Sequence, residues 1–97
     1  MRICETIGTL TLSRWHPSLA GARFRLAVPL TLANLAAESD ERAEAIVVYD
    51  DLGPGDGSLL AVSEGGEAAQ PFRPHDKPID AYNAAILDKI ALHGVAK

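Results

Sequence analysis

Residues 49–66 constrain this chain more than any other stretch. They begin Tyr49-Asp50-Asp51-Leu52-Gly53-Pro54-Gly55-Asp56-Gly57 and run through Ser58-Leu59-Leu60-Ala61-Val62-Ser63-Glu64 to Gly65-Gly66. Two apolar runs, 45–49 and 58–62, are joined by three glycines and a proline, and a glycine pair follows at once. Glycine admits backbone angles with positive φ, and proline fixes φ near about −65°. The stretch reads as strand, forced turn, strand, forced turn. It predicts a small β-domain closed around this turn.

The 97 residues fit a single domain, 1–97. A chain of this size buries only about 60–65% of its unfolded surface, so its stability margin is thin. Apolar residues make up 47% but aromatics only 5%, so the core falls to Leu, Ile, Val and Ala. Neighbouring subunits would complete the burial. Thirteen acids against nine bases give a net charge of −4, which argues against non-specific nucleic-acid binding through a basic face. Cys4 is the single cysteine, so no intrachain disulfide is possible. His16, His75 and His93 are scattered singly and lack metal-ligand spacing. No apolar run approaches the roughly 18–20 residues of a membrane span. Glu5, Arg14 and several Thr interrupt the N-terminus where a signal peptide would be apolar. A soluble, cytoplasmic protein without membrane association is expected.

In chain order, residues 1–14 are rich in β-branched side chains, and Thr9-Leu10-Thr11-Leu12 alternates with the period of a half-buried strand. Gly8 lies mid-run, where glycine marks a bulge or a sharp bend, or is simply tolerated. Pro17-Ser18-Leu19-Ala20-Gly21 breaks the strand. Trp15 reads as a packing or subunit-contact residue. Residues 22–30 form the clearest strand, with Phe24, Leu26, Val28 and Leu30 on one face and Arg23, Arg25, Ala27 and Pro29 on the other. The arginine face is expected to be solvated, or to meet acidic groups of a neighbouring subunit. Residues 31–44 predict a short helical turn capped by Thr31, then an exposed acidic loop. Residues 45–49 are nearly continuously apolar, as in a strand buried on both faces, and 58–63 form the next strand. Residues 67–70 predict one helical turn ended by Pro71, and 72–78 an irregular loop. For the last segment propensity predicts a helix over 81–92, capped by Asp80 and stopped by Gly94. A closing strand over 85–92 competes with it.

Little in the chain points to chemistry. Gly53-Pro54-Gly55-Asp56-Gly57 lacks the Lys-Ser/Thr pair of a phosphate loop, and a strand rather than a helix follows it. Asp50 and Asp51 are adjacent in an extended segment, so their carboxylates diverge, and the pair reads as turn residues capping the glycine loop. His75-Asp76 with Cys4 or Ser63 has no nucleophile signature around it. No catalytic, metal or cofactor site is expected.

Five pieces of the chain carry a resemblance. They are Gly8-Thr9, Pro17-Ser18-Leu19-Ala20-Gly21, Asp50-Asp51-Leu52-Gly53-Pro54-Gly55, Gly65-Gly66, and Pro78-Ile79-Asp80-Ala81 continuing to Ile86-Leu87-Asp88. In order and spacing they resemble the small vertex proteins of bacterial microcompartments, the family of the ethanolamine-utilisation and carboxysome vertex proteins, over nearly the whole chain. Each motif is short, and their common order makes the resemblance specific. The chain departs from the family at Gly65-Gly66-Glu67-Ala68-Ala69, where an arginine is usual and an acid stands here, in a longer 32–44 loop, and at 72–77.

The resemblance implies an all-β fold with small α content: a five-stranded barrel related to the oligonucleotide-binding fold, assembled as a ring of five. It replaces the C-terminal helix by a turn over 80–83 and a closing strand over 84–92. The implied role is a non-enzymatic, cofactor-free shell protein at the five-fold vertices of a polyhedral microcompartment, with itself and hexameric shell proteins as partners. Gly65 and Gly66 resemble the loop near the family's central opening, where Glu64 or Glu67 would ring the axis with negative charge. Gly8, Pro17, Gly21, Asp50, Gly53, Gly55, Pro78 and Asp80 are the structural turns of the family motifs. The alternative role is a small binding module for single-stranded nucleic acid or a protein partner, for which only Phe24, Arg23 and Arg25 stand ready on one strand.

Overall fold

The computed structural model describes residues 1–12, 17–19, 21, 23–73 and 79–94. Trp15, His16, His75, Asp76 and Pro78, with the expectations attached to them, lie outside the described residues. Five strands close into a barrel: β1 (Arg2–Leu10), β2 (Phe24–Pro29), β3 (Ile46–Tyr49), β4 (Leu59–Glu64) and β5 (Ala81–Leu87). Their order around the barrel is β1-β2-β3-β5-β4. All neighbours are antiparallel except β3 and β5, which run parallel. Closure leaves β1 and β4 paired on both edges, which protects a small sheet from edge-to-edge association.

The register of β1 against β2 slips between Thr6 and Gly8, leaving Ile7 as the extra residue of a bulge. Past the strand, Pro17–Leu19 forms a 3₁₀ turn and Gly21 has φ +76°. Thr31 caps α1 (Leu32–Leu35) in a reciprocal box with Asn34: the Asn34 N–H donates to Thr31 Oγ1 and the Thr31 N–H to Asn34 Oδ1. The Asn34 amide also donates to the carbonyls of Ser39 and Glu41, so one side chain shapes the loop that follows. The helix ends in a Schellman closure, with Glu38 N–H on Ala33 O and Ala37 N–H on Asn34 O. That closure puts Ala37 at φ +59°, the one non-glycine described residue with positive φ.

Inside, Cys4, Ala27, Val48, Leu60, Val62 and Ala81 form the core, with Ile46 packed against it. The faces of β2 are not divided as expected, since Phe24 and Val28 are buried on one and Ala27 and Pro29 on the other. Ala27 is fully buried and Arg25 half-buried, whereas Leu26 is only half-buried. Ala27 stands opposite Thr6 of β1 and Ile46 of β3, which places it within the core cluster. β3 is likewise not buried on both faces, since Val47 is 47% exposed.

Two further expectations are corrected. The helical turn after β4 is a longer 3₁₀ segment, Gly65–Phe72, which takes in Pro71 instead of ending at it. The C-terminal helix is a strand, β5, paired with β4 through six residue pairs from Leu59↔Leu87 to Glu64↔Ala81. Alanine-rich propensity favours a helix by only tenths of a kcal/mol per residue, and a six-pair ladder, bulged at Ala84, outweighs it. β5 also begins at Ala81 and ends at Leu87, three residues earlier at its start and five at its end than the resemblance implies.

Candidate functional site

The central turn is held at both ends by buried polar side chains. Asp50 follows β3 and is fully buried. Its Oδ1 accepts from the Leu52 N–H at 3.0 Å and from Asn83 Nδ2 of β5 at 2.8 Å. Its Oδ2 accepts from the Gly53 N–H at 3.0 Å and from Arg25 Nε of β2 at 3.3 Å. Burial by itself pushes the Asp50 carboxyl up, but the donors Asn83, Leu52, Gly53 and Arg25 together hold it below its ordinary value. One carboxylate therefore ties three strands to the start of the loop. Gly53, at φ +68°, lets its N–H turn back onto that carboxylate.

The far end is fixed on β1. Thr6, also buried, donates its hydroxyl to the Gly55 carbonyl at 3.0 Å. Its backbone donates to Ser58 O and accepts from the Gly57 N–H. Asp51 and Leu52 stand exposed at the tip. Asp50 and Asp51 therefore do not converge, and Asp50 has every lone pair directed at a structural donor. Asn83 Oδ1 is the one buried side-chain polar atom among the described residues without a partner.

The second turn opens the 3₁₀ segment. Gly65 has φ +68°, and its N–H donates to Asp80 O at 2.8 Å, which joins this turn to the start of β5. Gly65 and Gly66 are both exposed. The Glu64 carboxylate accepts from Arg2 Nε at 3.1 Å and Nη2 at 2.9 Å, so its charge is paired within the chain. Glu67 belongs to the 3₁₀ segment. Gly8 and Pro17 lie at the bulge and at the first 3₁₀ turn.

Sequence reasoning missed an aromatic cluster outside the barrel. Tyr49 meets Phe24 at 5.7 Å, Phe72 at 5.0 Å and Tyr82 at 6.1 Å between ring centroids, and Phe72 meets Tyr82 at 5.3 Å. Most of these contacts are edge-to-face, each worth about 0.5–1.5 kcal/mol beyond burial. They pin the 3₁₀ segment against β3 and β5. Burial, then Asp51 and Tyr82, push the Tyr49 hydroxyl up. Burial likewise pushes the Cys4 thiol up and keeps it in its unreactive protonated form. Among the described residues no group of three or more His, Cys, Asp or Glu is placed to hold a metal ion.

The arrangement is a scaffold: two glycine turns, each tied down by specific hydrogen bonds, on a closed barrel. Residues 1–88 match the model of the family described as ethanolamine utilisation protein EutN/carboxysome. The chain belongs to that family. A carboxysome shell vertex protein, CcmL of Thermosynechococcus vestitus, is 31% identical over 91 residues, covering 94% of this chain and 87% of that protein. The EutN/carboxysome fold is equally plain in solved structures. The pentameric microcompartment shell protein GrpN of Rhodospirillum rubrum is 27% identical with a TM-score of 0.78, over 96% of this chain and all 100% of that one. CcmL of Gloeobacter violaceus is 26% identical with a TM-score of 0.80, over 95% of this chain and 90% of that one.

Proposed function

We propose that this protein is a structural shell component that assembles as a ring of five and occupies the five-fold vertices of a polyhedral microcompartment in the bacterial cytoplasm. The observation that carries the reading is the likeness to GrpN, named a pentameric shell protein, over the whole of that chain. The carboxysome vertex protein supports the vertex placement. A flat sheet of hexamers closes into a polyhedron only through five-fold defects, so hexameric shell proteins are the natural neighbours. The work is geometric, and no catalytic step is assigned to any residue. The exposure of Ile7, Leu32, Val47, Leu52 and Ile86 fits a subunit that completes its burial in an assembly.

Within the ring, Gly65 and Gly66 are the loop closest to the axis, small enough for five copies to approach. Arg2 beside Glu64 offsets the carboxylate that would otherwise gather there.

Native mass spectrometry tests the reading. A single species of five times the 10.3 kDa chain is expected, and co-expression with hexameric shell proteins should then give closed particles. A monomer that binds single-stranded DNA at low salt would instead favour the binding module.

A further inference from the structure

The two arginines at the start of β2 are placed differently. Arg25 is paired within the chain, with Asp50. Arg23, just before the strand, is exposed, and its guanidinium has no ion pair among the described residues. It borders a cavity of about 380 Å³ whose wall is mainly apolar, formed by Leu10, Leu12, Leu19 and Phe24. Leu10, Leu12 and Leu19 are each only half-buried in the single chain. A free cation beside an apolar cavity fits a partner that brings an apolar side chain with an acid next to it.

The chain itself carries such a group. Of the large apolar residues exposed among the described residues, Leu52 alone has an acidic neighbour in sequence, Asp51. Leu52 is 48% exposed, and Asp51 is exposed and has no ion pair among the described residues. The two are presented on a fixed backbone, since the N–H groups of Leu52 and Gly53 both donate to the buried Asp50 carboxylate at 3.0 Å. Docking them orders little that is not ordered already. Leu52 does not line the cavity of its own chain, so within one subunit the leucine and the cavity stay apart.

We propose that Leu52 of one copy enters the apolar cavity of the next copy of the ring, where Asp51 pairs with Arg23. Turn and cavity lie at the same end of the barrel, where the Asp50 N–H donates to Arg23 O at 2.9 Å. A five-fold rotation leaves every atom at its own height along the axis, so a turn and a cavity at similar height engage between neighbours. Each copy then gives its turn to one neighbour and its cavity to the other. Two different surfaces of one subunit are what a head-to-tail ring needs.

The inference rests on the ring reading, and variants separate the two. Leu52→Ser and Arg23→Glu each change an exposed side chain outside the barrel strands, and far-UV circular dichroism should show the barrel intact. By native mass spectrometry and dilution light scattering, the unaltered chain is expected to be a ring. Each variant should associate at least about tenfold more weakly. The double substitution Leu10→Cys with Leu52→Cys should give a ladder of disulfide-linked chains, up to the five of the ring, on a non-reducing gel. Neither single variant should, and the native Cys4 is buried and does not interfere. A ring that both charge and leucine substitutions leave unchanged, or a ladder that never forms, overturns the inference alone. So does a disulfide confined within one chain, and so do bands that stop at two chains, the mark of a two-fold contact. An unaltered chain that stays monomeric overturns both readings.

Discussion

Asp50 shows how much of this fold rests on single side chains. Its carboxyl lies below the ordinary value in the folded protein. Its contribution is therefore fully present above the unfolded value of about 3.9 and is lost as pH falls through the lower folded value. Asp50→Asn should cost about 1.5–3 kcal/mol at neutral pH, because an amide nitrogen would face donors where an oxygen accepted. Denaturant unfolding across the acid range should show the wild type losing stability more steeply than the variant below about pH 4. The two glycines of the second turn differ in the same testable way. Gly65 has φ +68° and Gly66 has no positive φ, while neither Cβ would meet anything within 4 Å. Gly65→Ala should cost about 1 kcal/mol or more, and Gly66→Ala should change the melting temperature little. At this scale the sequence was legible where chemistry is local. Thr31 as a cap is visible from its neighbours. Asn83 under Asp50 is not, because the residues are joined only by barrel closure.

Among the elements, strands flanking the central turn were readable, since proline fixes φ and glycine admits the positive φ that Gly53 and Gly57 adopt. The bulge beside Gly8 was readable from a glycine in the middle of a strand pattern. β5 was not: Ala81-Tyr82-Asn83-Ala84-Ala85 has helical composition, and only its ladder with β4 makes it a strand. The faces of β2 were readable only in part: Phe24 and Val28 are buried as their apolar bulk suggests, but Ala27 is buried on the other face and Leu26 is left half outside. The aromatic cluster draws its rings from positions 24, 49, 72 and 82, too far apart in sequence to signal one another. Its role can be measured. Phe72→Ala removes two ring contacts and should cost about 1–3 kcal/mol. Near-UV circular dichroism should weaken while the far-UV strand signal persists. Equal loss of both signals would mean that the cluster supports the barrel itself.

For the molecule as a whole, a small core and several exposed aliphatic side chains set the terms. Cys4, Ala27 and Ala81 are half of the core cluster, and small residues bury little area each. If association supplies the rest, the melting temperature should rise with protein concentration, since binding to the folded state alone stabilises it by mass action. A concentration-independent transition would show that the barrel is self-sufficient. The family was legible because its turns recur in one order. The contact surfaces were not, because a surface that is buried only in an assembly reads like any other strand face. One residue shows what kind of stability selection has maintained here. Ala37 ends α1 in a backbone conformation that a side chain resists by about 1–2 kcal/mol. Ala37→Gly should therefore raise stability by about 1 kcal/mol, offset in part by the freer unfolded chain. An improvement one codon away and still unused is what evolution leaves behind when a protein has only to clear a threshold.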